Sequence, residues 1–130
     1  LSASCFGSSL AREAAQICGQ ESSGGNANAE GDSQLSADNV PLSIGLFQIL
    51  LPCHAFGSLL KCPDAFESGC TKPPSGKWKL KSDAASRTLY NNCVQAAKDP
   101  DANIAKACQI RTEANNTWIR WSTAGSCNLL

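Results

Sequence analysis

The chain has 130 residues, enough to bury one core but not two, and its 11 basic and 11 acidic residues cancel. A neutral chain with no basic run gives no reason to expect nucleic acid or an anionic membrane surface as a partner. Eight cysteines imply a framework of up to four disulfides and an oxidising compartment. The tightest cysteine spacings, Cys53 to Cys62 and Cys62 to Cys70, are too wide for a zinc knuckle, so neither a metal nor a cofactor is expected.

Taken in chain order, Ser8 or Ser9 can cap a helix that carries Leu10, Ala14, Ile17 and Cys18 on one face and runs to about Glu21. Gly24 and Gly25 end it. Residues 26–41 are polar and turn-rich, a long loop or a small irregular β region. "LSIGLFQILLP", residues 42–52, is the most apolar stretch and must enter the core. Residues 53–81 hold three cysteines and three prolines, so they are expected to be irregular and stapled by disulfides. Residues 85–98 place Leu89, Cys93 and Ala96 or Ala97 at helical spacing, and Asp99-Pro100 breaks that helix. Asp101 can cap a second one presenting Ile104, Ala107, Cys108 and Ile110 or Arg111. Trp118 and Trp121 lie three apart, on one face of a helical turn.

The class predicted is mainly α with little sheet, a single domain over 1–130 tied by disulfides. All eight cysteines are expected to be oxidised, with Cys127 paired to Cys5 or Cys18. The chain has no Met, as expected after removal of a signal peptide, and no apolar run approaches the ~20 residues of a membrane span. A secreted monomer is expected. Asn115-Asn116-Thr117 is an acceptor sequon.

Three pieces in order carry a resemblance: "QESSGGNANA" at 20–29, "SIGLFQI" at 43–49 and "DPDANIAKA" at 99–107. Together they resemble the lysozyme-like superfamily, in its transglycosylase and goose-type branch. "TWIRWS" at 117–122 is similar to the ending of small secreted and phage-borne members. The resemblance implies an α+β lysozyme-like fold and a glycosidase that cuts the β-1,4 bond between N-acetylmuramic acid and N-acetylglucosamine in bacterial peptidoglycan, the partner expected.

On that resemblance Glu21 falls on the catalytic glutamate. The chemistry fits its place. A glycosidic leaving oxygen must receive a proton, and burial beside a helix end raises a carboxyl pKa, while an open polar loop leaves room for sugar. An acid at a helix C-terminus is disfavoured by the macrodipole, so folding alone gives no reason for it. Ser43 stands where chicken-type relatives carry an aspartate. Goose-type auxiliary acids lie in the loop before the glycine, where this chain offers Asp32 and Asp38. Asp38 is the preferred candidate, being closer to Gly45, with a turn-forming loop acid as its alternative. Without an acid at Ser43 a retaining nucleophile is disfavoured, leaving attack by water with inversion or internal attack by the substrate. The tyrosine of many transglycosylases is replaced by Ser122 or Ala124, which favours hydrolysis.

Ser43 and Gln48 resemble cleft positions, and for Gln48 substrate contact and structural support stand equal. Gly45 lets the backbone pass close to a sugar or forms a plain turn. Trp118 can stack on sugar or pack in the core. His54, the only histidine, is expected to be packed or on the surface rather than a base. A different class of reading remains: a silent carbohydrate-binding protein on the same scaffold. A chitinase or a lytic transglycosylase of that fold is a third. The neutral charge predicts weak electrostatic capture of anionic cell walls.

Overall fold

The computed structural model describes residues 17, 19, 21 and 25–114. Ile17, Gly19 and Glu21 are helical. The turn-rich segment that follows leads into a three-stranded antiparallel sheet ordered β1 (Glu30–Gly31), β2 (Ser43–Ile44) and β3 (Ile49–Leu50). Glu30 pairs with Ile44 and Gly31 with Ser43, while Ser43 pairs with Leu50 and Ile44 with Ile49. Among the described residues the architecture is a mixed one, this small sheet packed with helices α1 (Ala84–Lys98) and α2 (Pro100–Glu113).

The apolar stretch 42–52 enters the core as its composition demands. Leu42, Ile44, Phe47 and Leu51 are completely buried, and full burial of a side chain of this size contributes about 1.5 to 3 kcal/mol. The stretch supplies two clusters. Leu46, Phe47 and Ile49 pack with Ile17 and with Ile104, Ala107 and Ile110 of α2. Leu42, Ile44 and Leu51 pack with Phe66, Trp78 and Leu80 and with Tyr90, Cys93, Val94 and Ala97 of α1.

Residues 53–81 are irregular, with 3-10 turns at Leu51–Cys53 and Cys62–Ala65 and isolated bridges from Ser36 to Trp78 and from Phe66 to Leu80. Disulfides join Cys53 to Cys70 and Cys62 to Cys93, and Cys108 is also disulfide-bonded. These bonds place the chain in an oxidising environment. The expected pairing of Cys127 with Cys5 or Cys18 lies outside the described residues, as do Trp118, Trp121 and the sequon at Asn115. Among the described residues no helix is long and apolar enough to cross a membrane.

Two details of the helices differ from expectation. The buried face of α1 is Tyr90, Cys93, Val94 and Ala97, because the Tyr90 ring reaches inward and its hydroxyl donates to the Pro41 carbonyl at 2.6 Å, leaving Leu89 half-buried. The cap of α2 is Asp99 rather than Asp101. Pro100 occupies the first helical position, where its missing N–H costs nothing, and this sets extended Asp99 as the residue whose carboxylate accepts the Ala102 N–H at 3.3 Å. The same Asp99 closes α1 through its own N–H to Ala96.

Candidate active site

A cavity of about 480 Å³ opens beside the sheet. Glu21 from the N-terminal helical stretch and Asp32 from the end of β1 supply its two carboxylates. Ser43 of β2 and Gln48, Ile49 and Leu50 around β3 form the wall between them, and the Cys53–Cys70 disulfide, His54 and Ile110 of α2 complete it. Glu21 is helical and half-buried.

The β2–β3 hairpin is held in shape by hydrogen bonds rather than by turn propensity. Asn103, fully buried on α2, accepts the Phe47 N–H at 2.8 Å and donates to the carbonyls of Ile44 and Ala97 at 2.9 and 2.8 Å. All three backbone groups lie where water cannot reach, so each needs this partner. Gly45 sits at φ 86° with Asn103 and the Ala97 carbonyl against its Cα, and a Cβ there would overlap both. Its lack of a side chain thus serves the contact between hairpin and helices, and Gly45 is not among the described residues lining the cavity.

Gln48 is held at φ 48°, an unusual left-handed conformation for a residue with a side chain. Its amide donates to the carbonyls of Ala29 and Gly45 at 3.2 and 3.1 Å, tying β3 back to the approach to β1. A Cβ on Gly31 would strike the Gln48 Oε1, so the glycine admits the side chain. Gln48 therefore supports the loop and also lines the cavity.

Asp32 is also left-handed, at φ 62°. One carboxylate oxygen accepts the buried Ser43 hydroxyl at 2.5 Å and the other the Gln34 amide at 3.5 Å. Ser43 pairs with Gly31, and Asp32 is the next residue on that strand's exit. The strand register thus sets the Asp32 carboxylate directly against the Ser43 hydroxyl. Of the described non-glycine residues at positive φ, Asp32 and Gln48 line the cavity and Asn39 does not. Such conformations cost about 1 to 3 kcal/mol each and persist where the surroundings over-determine them, as they do here.

The structure places Asp38 elsewhere. Its carboxylate accepts the Leu80 N–H at 2.9 Å and lies 3.6 Å from Arg87, so it fastens the 78–80 segment to the loop. Closeness to Gly45 in sequence does not bring it to the cavity, because the chain reverses at left-handed Asn39 before Pro41. His54, expected to be a packed or surface residue, lines the cavity, following directly on the 3-10 turn that ends at Cys53. Among the described residues no group of three His, Cys, Asp or Glu side chains could hold a metal ion.

No family model, curated protein or solved structure matches this chain.

Proposed function

We propose that the chain is a secreted muramidase of lysozyme-like, mainly α architecture, which hydrolyses the β-1,4 bond between N-acetylmuramic acid and N-acetylglucosamine. The observation that carries this reading is the convergence of three separated motifs. Glu21 and Gln48 line one cavity, and Asn103 of the "NIA" segment clamps the turn that presents Gln48. Residues 27 and 55 positions apart along the chain thus act on a single site, and that site holds two carboxylates.

Glu21 donates its proton to the leaving glycosidic oxygen as the bond from the anomeric carbon breaks. A water attacks that carbon from the opposite face and gives its proton to Asp32, whose orientation is fixed by the Ser43 hydroxyl. In this assignment Asp32 takes the auxiliary role for which Asp38 was the sequence candidate.

Clearing of a bacterial cell-wall suspension tests the reading. Glu21→Gln keeps size and hydrogen bonding but carries no transferable proton, and turnover should fall about 10²- to 10⁴-fold with an unchanged melting curve. Asp32→Asn should cost more activity than Asp38→Asn, whose damage is to stability. NMR of the fragments should show an inverted reducing sugar. A retained anomer points to a nucleophile, a dominant 1,6-anhydro product to a transglycosylase, and full activity in Glu21→Gln removes the assignment.

A further inference from the structure

The neutral net charge hides a local excess. Lys72, Lys77, Lys79 and Lys81 fall within ten residues, and all four are exposed. In "KWKLK" the buried residues are Trp78 and Leu80, so Lys77, Lys79 and Lys81 share the outward face of an extended segment, at a spacing of about 7 Å between successive lysines. This alternation also conceals the patch in the sequence, where apolar residues separate the lysines.

The segment is held rigidly from both sides. Trp78 N–H donates to Leu35, Ala37 N–H to Trp78, Glu67 N–H to Lys79 and Lys81 N–H to Ala65. Leu80 N–H donates to Asp38, and the Trp78 indole to the Gly69 carbonyl. Lys72 stands 6.0 Å from the centroid of the Trp78 ring. Acids nearby are Asp38, which accepts the Leu80 N–H and pairs with Arg87, Glu67, whose N–H donates to the Lys79 carbonyl, and Asp83, whose carboxylate is taken up by the Ser86 N–H and hydroxyl at the start of α1 and feels the Lys81 charge only at longer range. None of them forms an ion pair with these lysines, whereas Arg87 and Lys98 are paired. A fixed row of cations therefore faces solvent, and the 69–72 segment joins it to the cavity wall at Cys70.

We propose that this row binds a linear polyanion of the bacterial wall, a polyol-phosphate chain, and so holds the wall while glycan occupies the cavity. Charge is the only handle the row offers. Trp78 faces inward, so it presents no ring on which a nucleic-acid base could stack, and this separates the ligand from single-stranded nucleic acid. The proposal rests on reading the cavity as a wall-glycan site, but binding is measured without turnover.

Calorimetry with poly(glycerol phosphate) and the full chain tests it. Wild type should bind with a slope of log affinity against log salt of about −2 to −3, as expected for three to four neutralised phosphates. The triple variant Lys77→Gln, Lys79→Gln, Lys81→Gln should keep its melting temperature and its turnover of a short soluble glycan, lose at least about tenfold in affinity at low salt, and show a slope near −1. A single-stranded oligonucleotide with the same number of phosphates should bind more weakly. No binding by wild type, undiminished affinity in the triple variant, or an oligonucleotide that binds as tightly as the polymer overturns the proposal. If polymer binding is lost while Glu21-dependent clearing stands, only the row is misassigned. If clearing is independent of Glu21 while the polymer still binds, the fault lies in the reading of the cavity.

Discussion

The two apolar clusters are fastened by a different balance of ties. Around Phe47, beneath the cavity, hydrogen bonds fix the hairpin: Asn103 accepts from Phe47 and donates across to Ile44 and Ala97 of the other cluster, and the Gln48 amide makes two more bonds, while disulfide-bonded Cys108 packs against the same side chains. Around Phe66, beneath the lysine row, a disulfide lies wholly inside, with Cys62 and Cys93 joined in the interior and the Phe66 and Tyr90 rings edge to face at 6.1 Å, and single hydrogen bonds from Tyr90 to Pro41 and from the Trp78 indole to Gly69 add to it. Apolar burial has no direction, so it can hold elements together without fixing a dihedral angle. The left-handed conformations at Asp32 and Gln48 need donors and acceptors at set places. The cavity accordingly lies over the hairpin whose shape these hydrogen bonds fix.

Removal of Asn103 should break this comparison most visibly. Asn103→Ala strips partners from three buried backbone groups and opens space beneath the turn, a loss of about 4 kcal/mol by urea denaturation, with cavity ligand affinity lost as well. If stability falls while the cavity still binds, the hairpin holds its shape by some other means.

Cutting the covalent tie should cost less and leave the cavity alone. Cys62→Ala with Cys93→Ala releases a loop closed over a separation of 31 residues, about 3.7 kcal/mol in the chain-entropy model. The same urea series should show lower stability with unchanged glycan turnover. A cavity that fails along with this disulfide would mean that the two clusters act as one unit.

The smallest effect is expected at Tyr90. Burial, reinforced by the Glu30 charge, pushes its phenol well above the ordinary value of 10.0. The folded state thus disfavours the phenolate, and its contribution is complete below pH 10 and is lost as pH rises beyond it toward the folded value. Tyr90→Phe should cost about 1 kcal/mol at neutral pH through loss of the bond to Pro41, and should flatten the decline in melting temperature above pH 10.

Much of the framework was legible because it follows from periodicity and punctuation. The apolar run at 42–52 had to be buried, and Asp99-Pro100 had to interrupt a helix. Asp32 and Asp38 could not be told apart, since both are acids in one polar loop and their fates depend on a reversal at Asn39 and on a strand register that pairs Gly31 with Ser43. Asn103 was visible within "NIA", yet a buried asparagine shows no apolar period, and its partners lie as far as 59 positions away. His54 carried no local signal at all. Its place depends on the fold of the segment closed by Cys53 and Cys70.

The corner at Asp99 leaves the paired helices without a hinge. One residue ends the first helix with its amide and begins the second with its carboxylate, so no linker lies between them to absorb an inserted residue or a change of angle. Ala97 and Asn103, on opposite arms of that corner, grip the same hairpin. An evolving lineage could lengthen the loops at 57–59 or 74–76 with little consequence, but a single insertion at this corner would swing one arm away and slacken the grip. Variation in length should therefore have been purged here more stringently than the exposed position of Asp99 alone would lead one to expect.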